Sequence, residues 1–230
     1  MVTGSLSMSY RSAVLTDGFT SKRTRKRLVS GLRSKGITDE KVLLAIDAIQ
    51  RDLFIEDALK TRAYEDTALP IGYRQTISQP FIVALMSQIL RSNRDKLGRV
   101  LEVGTGSGYQ AAVLSGFSEQ VYTIERIQQL LDAAKLRLAP LGINNISFRH
   151  GDGASGWAIN GPFDGIILTA APAVVPTILF DQLAEGGILV APEGKEQNQT
   201  LVHWKKTRGT VRRIESVPVV FVPMVSGVIS

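Results

Sequence analysis

The sequence predicts an α/β fold: a doubly wound, mostly parallel sheet covered on both faces and finished by an antiparallel pair. Three observations lead there. From residue 98 onward, short apolar segments alternate with amphipathic helical ones, the pattern of a parallel sheet with crossover helices. A glycine-rich turn, Gly104-Thr105-Gly106-Ser107-Gly108, joins the first of these strands to the next helix. The chain has 230 residues, 44% apolar and 21% charged, enough to bury the core of one domain and unlike a disordered chain.

Residues 1–24 read as a basic, flexible arm. Residues 1–35 hold eight Lys/Arg against the single acid Asp17, a charge of +7. Residues 36–230 hold 19 Lys/Arg and 20 Asp/Glu, a charge of −1, so the net +6 belongs to one end. The run Lys22–Arg27 could meet an acidic partner, although such runs are more often a solvated tail or helix face. Thr38 is placed to cap a helix with Asp39 and Glu40 in its first turn and Val42, Leu43, Ile46 and Ile49 as its apolar stripe. Leu69-Pro70-Ile71-Gly72 reads as extended chain and turn. A further helix starts near Ser78-Gln79-Pro80, where proline suits the first turn, and carries Ile82, Val83, Leu85, Met86, Ile89 and Leu90. Strands are expected over 99–103, 120–125, 146–149, 163–169 and 188–191, with helices over 109–114 and 127–139 between them. Residues 201–204 and 211–222 read as a hairpin turning at Arg208-Gly209.

Composition excludes several chemistries. The absence of cysteine excludes disulfides, thiolate metal sites and a Cys nucleophile. His150 and His203 stand too far apart for a local metal motif, so no metal is expected. No apolar run approaches the length of a membrane span, and the first twenty residues lack a signal-peptide core. A cytoplasmic protein without a membrane partner is the expectation.

The glycine turn has the spacing G-x-G-x-G. A dinucleotide fingerprint wants G-x-G-x-x-G, and Tyr109 occupies the position where its last glycine would stand. Glu125 closes the second strand, where an acid can accept hydrogen bonds from ribose hydroxyls. Asp152, in His150-Gly151-Asp152-Gly153, follows the third strand and would lie near a base. Each feature alone is commonly structural. Together, at the carboxyl ends of successive parallel strands, they converge on a crevice for a nucleoside-containing cofactor.

With these residues in view, the chain resembles the class I S-adenosylmethionine-dependent methyltransferases, Rossmann-like proteins of about seven strands with an N-terminal helical extension. More narrowly it is similar to the protein-L-isoaspartate O-methyltransferase family over roughly residues 25–230. Ala63-Tyr64-Glu65-Asp66, Leu69-Pro70-Ile71-Gly72, Gln75-Thr76-Ile77-Ser78-Gln79-Pro80 and Leu101 to Gln110 carry the likeness. Tyr122 to Arg126, His150 to Gly153, Pro162-Phe163-Asp164 and Gly186-Gly187 extend it. The Thr-Ile-Ser-Gln-Pro element is much more particular to the family than the glycine loop.

The resemblance implies one methyltransferase domain: residues 25–97 carry the active-site element and 98–230 the cofactor-binding sheet. It implies S-adenosyl-L-methionine as cofactor and S-adenosyl-L-homocysteine as product. The activity implied is methyl esterification of the free carboxyl of L-isoaspartyl residues in damaged proteins and peptides, which starts repair through a succinimide. Ser78 would be the catalytic residue, aiming the acceptor carboxylate; as a residue just before a helix it could equally be an N-cap. Cofactor contacts would come from Thr76, Ile77, Ser78, Glu102, Gly104, Thr105, Gly106, Gly108, Glu125, Arg126, Asp152, Gly153 and Thr169, with the three glycines at the methionine end. A carboxylate acceptor, with a pKa of about 4, needs no general base at pH 7. Thr169-Ala170-Ala171-Pro172 lacks the Asp/Asn-Pro-Pro-aromatic pattern that nucleic-acid amine methylators place after the fourth strand.

The chain departs from the family pattern at Arg74, where Gly is common, at Glu193, where an apolar residue is usual, and at Ile49-Gln50-Arg51 in place of Val-Pro-Arg. The arm before residue 25 has no counterpart. Arg74 bears on substrate preference or rate. Two other readings stay open: a methyltransferase of the same fold acting on RNA or a small molecule, and a non-catalytic cofactor-binding protein. Isoaspartyl peptides and proteins are the expected partners, nucleic acid is not, and a monomer is favoured.

Overall fold

Short runs of Val, Ile and Leu, punctuated by glycine and polar turns, form the strands of the computed structural model, which describes residues 19–230. In chain order these are β1 (Leu69–Pro70), β2 (Thr76–Ile77), β3 (Leu97–Val103), β4 (Ser118–Glu125), β5 (Ile146–His150), β6 (Phe163–Leu168), β7 (Leu183–Lys195), β8 (Asn198–Thr207) and β9 (Thr210–Val219). β1 and β2 form a small hairpin. The other seven make one sheet in the order β5-β4-β3-β6-β7-β8-β9. β3 to β7 pair in parallel, and β8 and β9 close the sheet antiparallel. The order reverses between β3 and β6, which opens a crevice at their carboxyl ends.

The helices are α1 (Phe19–Ser34), α2 (Glu40–Ala48), α3 (Pro80–Arg91), α4 (Tyr109–Ser115), α5 (Gln128–Leu138) and the short α6 (Ile178–Asp181). Strand side chains alternate between two cores because successive residues point to opposite faces. Val100, Val121, Ile167 and Val190 pack with Leu32, Ile46, Val83, Leu114 and Leu130 of α1 to α5. Leu101, Ile124, Ile166 and Leu189 face the other way, onto Leu179, Trp204 and the partly buried Trp157 and Phe180. Among the described residues, α3, α4 and α5 lie on one face with α1 and α2 packed over α3 and α4, and the other face is covered by α6, short turns and residues near Met224.

Three local expectations are revised. The cap of α2 is Asp39 rather than Thr38: its carboxylate accepts from the amides of Lys41 (3.0 Å) and Val42 (3.3 Å). Asp39 also binds Arg91 of α3 at 2.7 Å with both side chains 5% exposed, so the acid has a partner that a threonine could not engage. β7 runs 13 residues instead of four, because its first half pairs with β6 and its second with β8, drawing glycines and Glu193 into the strand. The basic run Lys22–Arg27 lies on α1, which buries Leu28 and Leu32; the part of the arm before Phe19 lies outside the described residues. Among the described residues no helix is long and apolar enough to cross a membrane.

Candidate active site

The end of β3 cannot continue straight, because Gly104, Gly106 and Gly108 all take positive φ (100°, 51° and 90°). At Gly104 a side chain is excluded outright: a Cβ would stand 2.3 Å from Thr169 Oγ1. That hydroxyl donates across the crevice to the carbonyls of Val103 (3.1 Å) and Gly104 (2.6 Å), locking the end of β6 to the loop. The amides of Thr105 and Ser107, both buried residues, find no acceptor among the described residues. Two buried donors beside a cavity are what an anionic or carbonyl oxygen of a ligand would satisfy.

Glu125 ends β4 with its carboxylate between two amides, Gly106 N (2.9 Å) and Ile127 N (3.0 Å). Each oxygen keeps a lone pair for a ligand hydroxyl. Beneath it, Thr105 donates to Thr123 (2.6 Å), whose hydroxyl donates to Glu102. Glu102 is fully buried, and burial, reinforced by the nearby Glu125 charge and opposed by the Thr123 bond, pushes its carboxyl up to about 8.

On the opposite wall, the β1–β2 hairpin leads into Ser78. Gln79 occupies the cap position of α3 but its side chain donates to Asp66 O (2.9 Å) rather than capping the helix, and Pro80 fills its first turn. Ser78 is therefore not the cap, and its hydroxyl makes no hydrogen bond among the described residues. The Ser78 carbonyl, by contrast, is held by Arg51 (3.0 Å), which also donates to the carbonyls of Ala63 (2.8 Å) and Thr67 (3.1 Å). Arg51 is fully buried under Tyr109, its guanidinium 5.3 Å from the ring centroid, and burial pulls its pKa below the ordinary arginine value. It pins the segment that presents Ser78.

Between these walls lies a cavity of about 600 Å³, lined by residues from the ends of β3, β4 and β6, from the turn after β5, and from β2. That volume falls in the range of small-molecule sites. Of the expected contacts, Thr76, Ile77, Ser78, Gly104, Thr105, Gly106, Glu125, Arg126, Gly153 and Thr169 line it together. Three do not. Glu102 is sealed below the floor. Gly108 turns toward α5, where a Cβ would meet Leu138 at 3.0 Å and Ala134 at 3.2 Å, so its missing side chain serves helix packing. Asp152 stands one residue off the lining, its carboxylate occupied by Ala154 N (2.9 Å) and Gly227 N (2.7 Å).

The last partner belongs to a wall absent from the sequence reading. Val222 to Val225 and Ile229 also line the cavity. Met224 N donates to Ala171 O (2.8 Å), Ile229 N to Arg126 O (2.7 Å) and Gln128 N to Ile229 O (2.9 Å), while Arg126 Nε donates to Gly227 O (3.0 Å). The chain end thus crosses the crevice as a strap. The apolar, proline-broken stretch Val217 to Val225 was the signal available for it.

A parallel sheet with this strand order, an antiparallel final hairpin, and a cavity between a glycine loop and an acid ending the neighbouring strand define a class I S-adenosylmethionine-dependent methyltransferase. The site fits that cofactor, with unsatisfied amides at the glycine loop and a carboxylate ready for hydroxyls. Comparison narrows the class. The family profile described as protein-L-isoaspartate(D-aspartate) O-methyltransferase matches residues 23–229, and the chain belongs to that family. A protein-L-isoaspartate O-methyltransferase of Stenotrophomonas maltophilia is 52% identical over 213 residues, 92% of this chain and 93% of that one. Protein-L-isoaspartate O-methyltransferase 1 of Marinobacter nauticus is 51% identical over 212 residues, 92% and 96% of the two chains. A structure described as a protein-L-isoaspartate O-methyltransferase of Plasmodium falciparum with S-adenosyl-L-homocysteine superposes with a TM-score of 0.75. It is 27% identical to this chain, covering 87% of this chain and 97% of that one.

Proposed function

We propose that the protein transfers a methyl group from S-adenosylmethionine to the free carboxyl of L-isoaspartyl residues in damaged proteins, as a cytoplasmic, monomeric enzyme with one domain over residues 25–230. The observation that carries the assignment of the acceptor end is Ser78: a hydroxyl at the cavity, without a hydrogen-bond partner among the described residues, on a segment clamped by a buried arginine. S-adenosylmethionine supplies a methyl group on a positively charged sulfur. The amides of Thr105 and Ser107 would hold its methionine carboxylate, Glu125 its ribose hydroxyls, and the backbone at Gly153, packed on Val103, would lie against the adenine. The acceptor carboxylate is ionised at neutral pH, so the chain has no proton to remove. Ser78 would donate a hydrogen bond to one carboxylate oxygen and aim the other, an orientation term. The segment Thr169-Ala170 at the cavity has neither the amide nor the aromatic ring that would hold a nucleobase. The ester product closes to a succinimide as the following backbone amide nitrogen attacks the ester carbonyl and methanol leaves, and hydrolysis of the ring returns part of the material to aspartate.

The deciding experiment offers radiolabelled S-adenosylmethionine with two peptides that differ only in isoaspartate against aspartate. Base-labile label on the isoaspartyl peptide alone is expected; label on neither peptide, from folded protein, would refute the assignment. Ser78→Ala should lower kcat on the order of 100-fold, the cost of losing orientation at the reacting atom, with adenosylhomocysteine affinity nearly unchanged. Parallel losses in both would make Ser78 a cofactor or folding residue instead.

A further inference from the structure

We infer that Arg74 determines specificity by reading a second carboxylate on the substrate, carried by an acidic residue beside the one that is methylated. The inference rests on the isoaspartyl reading of the site. Its starting point is a backbone outlier. Gln75 N donates to Gly72 O (2.8 Å), closing a turn in which Tyr73 and Arg74 have φ of 50° and 58°. Both central residues of such a turn are left-handed, a conformation that suits Asn and Gly and is unfavourable for bulky L-residues. Elsewhere the same chain meets the requirement conventionally: at the β8–β9 turn Arg208 (φ 52°) is followed by Gly209 (φ 74°). Strain of this kind collects where function over-determines a residue.

The strained turn presents its side chains at the cavity. Tyr73 is 55% exposed, Arg74 is exposed, and both line the cavity with Ser78. The other charged side chains of the lining are engaged: Glu125 accepts from two amides, and Arg126 donates Nε to Gly227 O. Arg74 makes no hydrogen bond or ion pair among the described residues. Its planar fork is therefore available for bidentate binding of a carboxylate. Distance separates this carboxylate from the acceptor. Arg74, in the turn, and Ser78, just past the strand Thr76–Ile77, are four residues apart, at most about 13 Å between Cα atoms, a span that reaches across up to several residues of an extended peptide. An arginine there meets a neighbour of the isoaspartyl residue while Ser78 meets the acceptor.

The test uses the full chain and matched isoaspartyl peptides, with Glu or Gln placed one, two or three residues to either side of the isoaspartate. In the wild type, kcat/KM for one Glu peptide should exceed that of its Gln partner by about fivefold, the size of a partly exposed ion pair. The difference should lie in KM and fade in about 0.5 M NaCl, which screens exposed charges. Arg74→Gly suits the positive φ, and in it the Glu-to-Gln ratio should fall to one; Arg74→Lys should keep part of it. A ratio equal in wild type and Arg74→Gly, a preference for Gln, or a loss of adenosylhomocysteine affinity in Arg74→Gly would overturn the inference. If the wild type labels every isoaspartyl peptide alike, this inference falls alone. If it labels none, the isoaspartyl reading falls with it.

Discussion

Burial at the end of β3 leaves Glu102 with a carboxyl that titrates near neutrality, at about 8 against the usual carboxylate range. The sign of its effect on stability follows from proton counting. Between the unfolded value and about 8 the folded protein holds a proton that the unfolded chain has lost, so rising pH favours unfolding through that window. The stabilisation is complete below the unfolded pKa and gone above the folded one. Glu102→Gln removes the titration, so wild-type stability relative to this variant should fall by about 1.4 kcal/mol per pH unit between pH 5 and 8. Chemical denaturation at several pH values checks it; parallel curves for the two proteins would mean that Glu102 is ionised in the fold. Residues of this kind also mark where the sequence stops being informative. Gly104 and Gly108 look alike in the glycine turn, yet one makes way for Thr169 and the other for Leu138 of α5. Only the tertiary neighbour separates them. Glu125 was readable as a cavity residue because its chemistry and its place at a strand end coincide, whereas Ser78 and Thr169 stood out only through the family resemblance.

At the scale of elements, α2 and α3 are joined by a polar connection rather than by apolar contact alone. Gln88 Oε1 accepts from the amides of Thr38 (2.7 Å) and Asp39 (2.8 Å), and Arg91 pairs with Asp39 at the cap. Removing one member of a buried ion pair leaves the other charge without compensation, which costs about 3–5 kcal/mol. Asp39→Ala should lose that much in urea denaturation, since it removes the cap as well. Asp39→Asn combined with Arg91→Met should be less destabilised than Asp39→Asn alone, because no orphan charge remains. A loss below about 1 kcal/mol in Asp39→Ala would show that the pair is solvent-screened. The strands and helices of the sheet were readable from periodicity, which reports burial directly. The cap was misplaced by one residue because Thr38 and Asp39 are both good caps, and the choice was made by Arg91, 52 residues away. β7 was read short because its ends pair with two different partners, and pairing with Thr200, not apolar content, makes Glu193 part of a strand.

For the molecule as a whole, the decisive feature is that both ends of the domain meet at one crevice. Residues before β3 supply the hairpin with Ser78, and the last residues supply the strap. The apolar stretch Val217 to Val225 shows that the end is partly covered, but nothing local names its partners, since the bonds of Gly227 to Asp152 and to Arg126 join residues 75 and 101 positions apart. The strap is held mainly by backbone and side-chain hydrogen bonds at Gly227 and Ile229, each worth only about 0.5–1.5 kcal/mol net. An arrangement that weak can open for cofactor exchange and still complete the cavity wall when closed. Deleting Ser226–Ser230 removes the contacts of Gly227 and Ile229 while leaving β9 and Met224 in place. The sheet and both cores lose nothing, so unfolding of the ligand-free protein should shift little. Adenosylhomocysteine should bind about tenfold more weakly, equivalent to about 1.4 kcal/mol, because the apolar wall from Ile229 is gone and Arg126 is no longer oriented. Most of that loss should appear as faster dissociation, since a strap slows escape more than entry. Calorimetry with stopped-flow release separates the outcomes. An unchanged dissociation rate would mean that the strap is a fixed edge of the sheet and that exchange proceeds elsewhere, past the Tyr73–Arg74 turn.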